Sequence, residues 1–135
     1  MAPHIQGIDH LHLYVSDRRA ARAWYAETLG FEVVPELEHW AEGGGPLTLA
    51  DASGAVHLAL FERAPAPNRS TIAFGTSAEQ FIAWQAHLRR HVDPSIAHVD
   101  HGAAWSMYFS DPDGNPYEIT CYAVDELRRL AAARG

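Results

Sequence analysis

The chain has 135 residues, of which 47% are hydrophobic and 20% charged, and its formal net charge is −7. The length suits one ordinary domain or two small halves that share a core, and the composition argues against a disordered chain. The acidic balance disfavours a nucleic-acid surface, because binding to the phosphate backbone needs clustered Lys and Arg. No apolar run approaches the roughly 18 residues of a membrane span, and no signal-peptide pattern opens the chain, so a cytoplasmic location is expected. A single cysteine excludes an internal disulfide.

The first half of the chain alternates signals for strands and a helix. Apolar residues alternate with polar ones from Ile8 to Val15, which predicts a strand. Asp17 is suited to cap a helix that Gly30 ends. Three further strands are expected, the first of them short and partly exposed, at Phe31–Leu37, Leu47–Ala50 and Val56–Phe61.

The same order returns after a stiff stretch that contains Pro65 and Pro67 and suits a connection. A strand is expected at Thr71–Gly75, and Ser77 with Gln80 forms a capping-box pattern that opens a helix. A weak strand, two stronger ones and a short amphipathic helix follow, at Pro94–Val99, Trp105–Phe109, Tyr117–Tyr122 and residues 124–134.

Strand, helix and three strands therefore occur twice along the chain. This order predicts tandem βαβββ modules over residues 8–63 and 69–123, followed by a C-terminal helix over residues 124–134. Each module is too short to hold a large core alone, so the two halves are expected to pack together. The prediction is a single α+β domain over residues 1–135.

The polar faces of the predicted strands carry an unusual set of side chains. A sheet face in contact with solvent would favour Lys, Glu, Thr and Arg. Histidines, one carboxylate, aromatic residues and small residues stand there instead, and this mixture is typical of a ligand cavity. The four faces carry His10, His12 and Tyr14; His57, Ala59 and Phe61; Thr71, Ala73 and Gly75; and Glu118, Thr120 and Tyr122.

Four of these positions recur at equal spacing along the chain. His10 and Thr71 are 61 residues apart, as are His57 and Glu118, and each half separates its own pair by 47 residues. We therefore expect the four to occupy equivalent places in the two repeats, where a pseudo-two-fold axis would bring them toward one point.

Several motifs along the chain are similar to those of one superfamily. They are Ile8-Asp9-His10, Trp24-Tyr25, Leu29-Gly30-Phe31, Phe109 to Asn115, and Tyr117-Glu118-Ile119. With these motifs the sequence resembles, over about its whole length, the vicinal oxygen chelate superfamily of glyoxalase I, fosfomycin- and bleomycin-resistance proteins and extradiol dioxygenases. The resemblance implies a curved mixed sheet built from the tandem modules and, for chains of this size, a homodimer. It is specific for the fold and weak for the reaction, since the superfamily hosts several chemistries.

The resemblance also implies a set of metal ligands. Metal-using members take ligands from four inward strand positions, which match His10, His57, Thr71 and Glu118 in this chain. Many members have His where this chain has Thr71, and a hydroxyl is a poor ligand for transition metals, so His57 is expected to substitute. The implied cofactor is a divalent ion, Fe, Mn, Ni or Zn, held by His10, His57 and Glu118 with open positions for substrate.

Other residues on these faces are candidates for catalysis or substrate binding. His12 shares a face with His10 and is a candidate for moving protons, with Glu118 as the second catalytic group; a packing role for His12 stays open. Tyr108 is placed either toward the cavity or on the opposite face of its strand. Substrate contacts are expected from Tyr14, Phe61, Thr71, His101 and Tyr122.

Two functions follow from this reading. The first is a metal-dependent enzyme, a lyase, isomerase or dioxygenase, that acts on a small molecule through two adjacent oxygen atoms chelated to the metal. The second is a metal-free protein similar to the bleomycin-resistance type, which binds a small molecule without chemistry. Thr71, in place of a histidine, and the aromatic residues near the site motivate the second function.

Overall fold

The structure is a computed structural model that describes residues 1–134. The chain divides into two compact units, Met1–Pro67 and the residues from Asn68 onward. The first unit contains β1 (His10–Val15), α1 (Arg18–Leu29), β2 (Glu32–Val33), a 3₁₀ helix (Pro35–Gly43), β3 (Leu47–Ala50) and β4 (His57–Glu62). The second contains β5 (Ile72–Gly75), α2 (Ala78–His91), β6 (Val99–Asp100), β7 (Trp105–Ser110), β8 (Pro116–Cys121) and α3 (Val124–Arg134). The α+β class predicted from the sequence is confirmed.

The sheet of the first unit has the strand order β1-β4-β3-β2. β1 runs parallel to β4, and the other neighbouring strands are antiparallel. Because side chains alternate across a strand, Leu13, Val15, Leu58 and Leu60 share one face, and all four are fully buried. α1 adds Tyr25, which is also fully buried. The opposite face of β1 and β4 is left to polar and aromatic residues.

The sheet of the second unit repeats this arrangement with the order β5-β8-β7-β6. β5 is parallel to β8, and β7 is antiparallel to both of its neighbours. The buried face of this sheet carries Met107, Tyr117, Ile119 and Cys121, and α2 contributes Phe81. The Cys121 thiol is free and buried, as its alternation with Glu118 predicts.

Both predicted helix starts are confirmed by their capping hydrogen bonds. The Asp17 side chain accepts from the Ala20 N–H, and the Ser77 side chain accepts from the Gln80 N–H. Gly30 ends α1 in the left-handed region at φ 73°, where a residue without Cβ is favoured.

The strand predicted over Phe31–Leu37 is wrong beyond its first residues. β2 ends at Val33, and the 3₁₀ helix occupies Pro35–Gly43. Pro35 has no N–H to donate to a strand ladder, and its fixed φ suits the first turn of a helix. The sequence contains this signal, but the short alternation before Leu37 concealed it.

The other strand boundaries shift by small amounts. β1 begins at His10 rather than Ile8, and β5 begins at Ile72, which leaves Thr71 just outside the strand. The weak strand predicted over Pro94–Val99 is reduced to Val99–Asp100, since the Asp93 carboxylate instead accepts from the N–H and hydroxyl of Ser95 in a turn. No helix within residues 1–134 combines the length and apolarity needed to cross a bilayer.

Candidate functional site

A cleft of about 220 Å³ opens on the polar face of β1 and β4 in the first unit. His10 and His57 are register partners on these parallel strands, so their side chains leave the sheet on the same face. His12 lies in register with Ala59, whose small side chain leaves room beside the imidazole. The cleft is lined by Asp9, His10, His12, Leu37, Trp40, Pro46, Thr48, His57 and Ala59.

Three polar side chains at this cleft form a chain of hydrogen bonds. Asp9 Oδ2 lies 2.8 Å from His10 Nδ1, and His10 Nε2 lies 3.1 Å from His12 Nε2. An ionised carboxylate only accepts, so His10 carries its proton on Nδ1. A neutral His10 then accepts at Nε2 from the Nε2–H of His12. This order of donors leaves His12 Nδ1 as the basic nitrogen of the three hydrogen-bonded side chains.

Aromatic rings lie next to these hydrogen-bonded side chains on the same sheet face. The His12 ring lies 4.9 Å from the Phe61 ring, and Tyr14 meets Phe61 edge-on at 6.3 Å. Phe61 is half-buried and Tyr14 is 43% exposed. These two predicted substrate contacts therefore lie beside the imidazoles, outside the lining of the cleft itself.

The polar face of the second sheet carries a separate hydrogen-bonded group around Glu118. The hydroxyl of buried Ser106 donates to Glu118 Oε2 at 2.7 Å, and it lies 3.1 Å from Thr120 Oγ1. Tyr108 is the register partner of Glu118 and shares its face, with its hydroxyl 2.9 Å from His101 Nε2. Tyr108 thus belongs to the polar face, while its neighbours along β7 point into the core.

The loop that holds His101 is anchored through Asp100. Gly102 N–H donates to Asp100 Oδ1 at 2.8 Å, and an Arg128 guanidinium nitrogen lies 3.5 Å from Asp100 Oδ2. The hydrogen bond from Gly102, and to a lesser degree Arg128, holds the pKa of Asp100 below its usual value. The carboxylate therefore stays ionised and keeps the turn before Trp105 closed.

The predicted site residues fall into groups that belong to separate units. His10, His12 and His57 meet at one cleft of the first unit, while Glu118 lies in the second. Within residues 1–134, no three His, Cys, Asp or Glu side chains are grouped so that they could hold a metal ion. The ligand set of His10, His57 and Glu118, which draws on both units, stays a prediction.

Two predicted substrate contacts lie at the ends of strands. Thr71 is exposed and precedes β5, and Tyr122 follows β8 with 77% of its surface exposed. Neither side chain takes part in the hydrogen bonds that join Ser106 to Glu118 and Thr120. Their roles in substrate binding remain predictions.

The predicted equivalence of the four repeat positions is wrong for the pair Thr71 and Glu118, which are not level with each other as His10 and His57 are. Glu118 is in register with Ala73, two residues beyond Thr71, whereas His10 is in register with His57. If Thr71 corresponds to His10, the counterpart of Glu118 is Ala59, the partner of His12. Equal spacing along the chain misled because the register of the β5·β8 pair is shifted by two residues relative to that of the β1·β4 pair. Register depends on how the strands pack.

Several residues of the site were not predicted. Trp40 and Leu37 reach the cleft from the 3₁₀ helix, and Ser106 reaches Glu118 from the neighbouring strand. The alternation of Ser106 and Tyr108 with large apolar residues on β7 was the available signal for the second sheet. For Trp40 the only signal was Pro35 at the start of a helical turn.

A comparison with protein families identifies the fold. The model of the Glyoxalase/Bleomycin resistance protein/Dioxygenase superfamily matches residues 7–119. The chain belongs to this superfamily. The resemblance carried by the motifs is thus confirmed, and the two four-stranded sheets with parallel β1·β4 and β5·β8 pairs are the repeats of its fold.

Solved structures of superfamily members match most of the chain. A glyoxalase/dioxygenase from Nostoc punctiforme is 25% identical, with a TM-score of 0.64 over 90% of this chain and 95% of that one. TnmS3, an antibiotic binding protein from Streptomyces, is 24% identical, with a TM-score of 0.66 over 90% and 100%. The fosfomycin resistance protein FosX from Listeria monocytogenes, complexed with Mn(II) and sulfate, is 17% identical, with a TM-score of 0.64 over 95% and 99%. The last two bear on the fold alone.

Proposed function

We propose that the protein is an enzyme that moves a proton within a small oxygen-bearing molecule, and that this molecule binds in the cleft of the first unit. The observation that supports this is the Asp9–His10–His12 chain of hydrogen bonds at the cleft. Imidazole titrates near neutral pH, which makes it an effective general base. His12 Nδ1 accepts the proton, and the resulting imidazolium donates its Nε2–H to His10. The Asp9 carboxylate orients His10 and offsets the added positive charge.

The shape of the cleft supports a small ligand. Its volume of about 220 Å³ is below the roughly 300–1,000 Å³ of sites for drug-sized molecules. Leu37, Trp40 and Pro46 give it an apolar rim, and the imidazoles give it polar groups that could orient one or two oxygen atoms. Superfamily membership supports an enzyme of the glyoxalase or dioxygenase kind without selecting the reaction.

Turnover by His12 variants tests this function. The protein is incubated with a panel of hemithioacetals, catechols, hydroxyketones and epoxides, and consumption is followed by NMR. We expect at least one class to be consumed and His12→Gln to lower kcat by about 100- to 10,000-fold, the usual contribution of a general base. His4→Gln, a change at an exposed residue near the N-terminus, is the control and should keep the wild-type rate. No consumption of any class, or full activity of His12→Gln, would contradict the proposal.

A second candidate function is metal-free sequestration of a small molecule. Two alanines beside the polar groups favour this function. Ala59 lies next to His12, and Ala73 lies next to Glu118. Neither alanine offers a ligand or proton-transfer group, and the structurally similar TnmS3 is an antibiotic binding protein. A thermal-shift screen of the same panel discriminates: stabilisation that a chelator does not change, without product formation, would favour sequestration.

Metal use is a separate proposal, in which a divalent Fe, Mn, Ni or Zn ion is held by His10, His57 and Glu118. The neighbour FosX was crystallised with Mn(II), which supports divalent metal use in this fold. Bound metal is measured in the purified protein and in His10→Ala and Glu118→Ala. We expect metal in the wild type and its loss in both variants, and loss on acidification below about pH 6 as ligand histidines are protonated. Equal, negligible metal in all three proteins would remove the proposal.

A further inference from the structure

The segment that covers the cleft is held in place without a buried side chain. Residues 35–46, which we call the flap, comprise the 3₁₀ helix and the three residues after it. The 3₁₀ helix has no buried residue, so hydrophobic burial contributes little to its position. Helices of this type rarely exceed three or four residues, and a nine-residue run needs support from outside. Hydrogen bonds from neighbouring elements supply that support.

Two arginines fasten the C-terminal end of the flap. Arg18 Nη1 donates to the Gly45 carbonyl at 2.7 Å and its Nη2 to the Ala41 carbonyl at 3.1 Å. Arg63 Nη2 donates to the Gly44 carbonyl at 3.2 Å. Three main-chain carbonyls of the flap are thus held by two planar guanidinium groups, whose fixed geometry specifies the flap's position.

Trp40 is the side chain that this fastening places at the cleft. Trp40 lines the cleft together with Leu37, yet 48% of its surface stays exposed. A large aromatic side chain left half in water on an unburied segment adds little to folding stability. A flat ligand in the cleft would cover this surface, and stacking on an indole adds to simple area burial.

We infer that Trp40 is a specificity-determining residue that selects planar aromatic ligands, and that Arg18 is a positioning residue that holds the flap over them. The inference rests on the proposed use of this cleft as the ligand site. His12 Nδ1 accepts a hydrogen bond from a hydroxyl on the ligand, while Trp40 covers its ring. Selectivity therefore comes from the flap, and chemistry from the strands.

A matched pair of probes tests the inference by binding alone. Affinities for 2-naphthol and for its saturated counterpart, decahydro-2-naphthol, are measured by calorimetry, since both carry the same hydroxyl. We expect the wild type to prefer 2-naphthol. Trp40→Ala should weaken 2-naphthol binding about 2- to 12-fold more than it weakens binding of the saturated probe, and Trp40→Phe should retain part of the preference.

The role of Arg18 is tested with the same pair. Arg18→Ala should lower the preference for 2-naphthol as Trp40→Ala does and speed hydrogen exchange in residues 37–44, and Arg18→Lys should restore part of both. Arg19→Ala, a change at the exposed neighbour on α1, is the control and should alter neither. Unchanged preference in Arg18→Ala would overturn its positioning role.

The outcomes separate this inference from the proposed enzyme. Equal affinity of the two probes for the wild type, binding of neither, or equal weakening of both by Trp40→Ala would overturn the selection of aromatic ligands. None of these results depends on turnover, so the role of His12 would still stand or fall on the rate measurements. Conversely, loss of the aromatic preference in Trp40→Ala supports the flap even where His12→Gln keeps its activity.

Discussion

At the scale of single residues, the positions of polar side chains are set by a few strong hydrogen bonds. Asn115 is fully buried, its Nδ2 donates to Asp111 Oδ2 at 2.8 Å, and its Oδ1 accepts from the Asn68 N–H at 3.1 Å. Asp111 is buried too and also accepts from the Asn115 N–H. The turn before β8 is therefore held by side chains, and it sets where Glu118 emerges on the sheet.

Removal of the Asn115 amide is expected to destabilise the second unit. Asn115→Ala deletes the bonds to Asp111 Oδ2 and Asn68 N–H and leaves both groups with one partner fewer. We expect the free energy of unfolding to fall by about 2–4 kcal/mol, measured by urea denaturation. Pro112→Ala, at an exposed position of the same turn, should cost less than about 1 kcal/mol. Equal costs for the two variants would show that the buried bonds do not hold the turn.

At the scale of elements, the helices are specified locally and the flap is not. Asp17 and Ser77 each satisfy a free N–H of the first helical turn, so the starts of α1 and α2 follow from adjacent residues. The flap takes its position from Arg18 on α1 and Arg63 after β4, which are distant in sequence. The two helices should therefore respond to substitutions at their own caps, and the flap to substitutions at the arginines that hold it.

The helix caps should contribute similar amounts to stability. Asp17→Ala and Ser77→Ala each remove one capping bond, and we expect each to lower the free energy of unfolding by about 1 kcal/mol. Ser77→Asn, which keeps an oxygen in reach of the Gln80 N–H, should cost much less. Denaturation curves of the three variants measure the effect, and a cost for Ser77→Asn equal to that of Ser77→Ala would argue against capping.

The flap should move when Gly45 gains a side chain. A Cβ on Gly45 would collide with the main-chain carbonyl oxygen of Trp40, and a main-chain atom yields only if the flap shifts. Gly45→Ala is therefore expected to lower the preference for 2-naphthol without unfolding the sheet. Hydrogen exchange and calorimetry measure the two effects, with Gly43→Ala, where a Cβ meets open space, as the control. An unchanged preference in Gly45→Ala would contradict this account of the flap.

At the scale of the whole molecule, ionised carboxylates make stability depend on pH. Burial would raise the pKa of Asp51, but hydrogen bonds from the Ser53 hydroxyl and from the main-chain N–H groups of Val56, Ser53 and Ala55 outweigh it and lower the pKa from its ordinary 3.8. The hydrogen bonds of Ser95 likewise lower the pKa of Asp93. Groups with a lowered folded-state pKa contribute stability above their unfolded pKa and lose it as the pH falls through the folded one.

Acid should therefore destabilise the protein by protonating these carboxylates. The free energy of unfolding is expected to fall as the pH drops from about 5 to about 3, and to fall less steeply in Asp51→Asn. Ser53→Ala should also flatten the decline, because it removes a bond that lowers the Asp51 pKa. Urea denaturation across this pH range measures the slopes, and three equal slopes would contradict the role of Asp51.

Assembly into a homodimer is also a property of the whole molecule and stays a proposal from the superfamily resemblance. Exposed aromatic residues on the sheet faces, Tyr14, Tyr108 and Tyr122, supply apolar surface that a second copy could cover. Sedimentation at several concentrations measures the state, and a mass of one chain throughout would end the proposal.

The sequence by itself determined the repeated order of strands and helices and the superfamily, but not the 3₁₀ helix at Pro35–Gly43. Strand alternation, the caps at Asp17 and Ser77, and Gly30 act within a few residues, so they can be read without the rest of the chain. The histidines of β1 and β4 were likewise placed on one face by alternation, and the structure gathers them at one cleft.

Only the tertiary structure decided how the strands pair and which side chains complete the site. Contacts between distant segments set the two-residue offset that places Glu118 beside Ala73, and they hold the flap that presents Trp40. Register is set by packing across the sheet, and guanidinium groups find carbonyls only once α1 and β4 are in place. Equal spacing along a chain carries no information about such offsets, and for this reason the predicted equivalence of the pair Thr71 and Glu118 to the pair His10 and His57 was wrong.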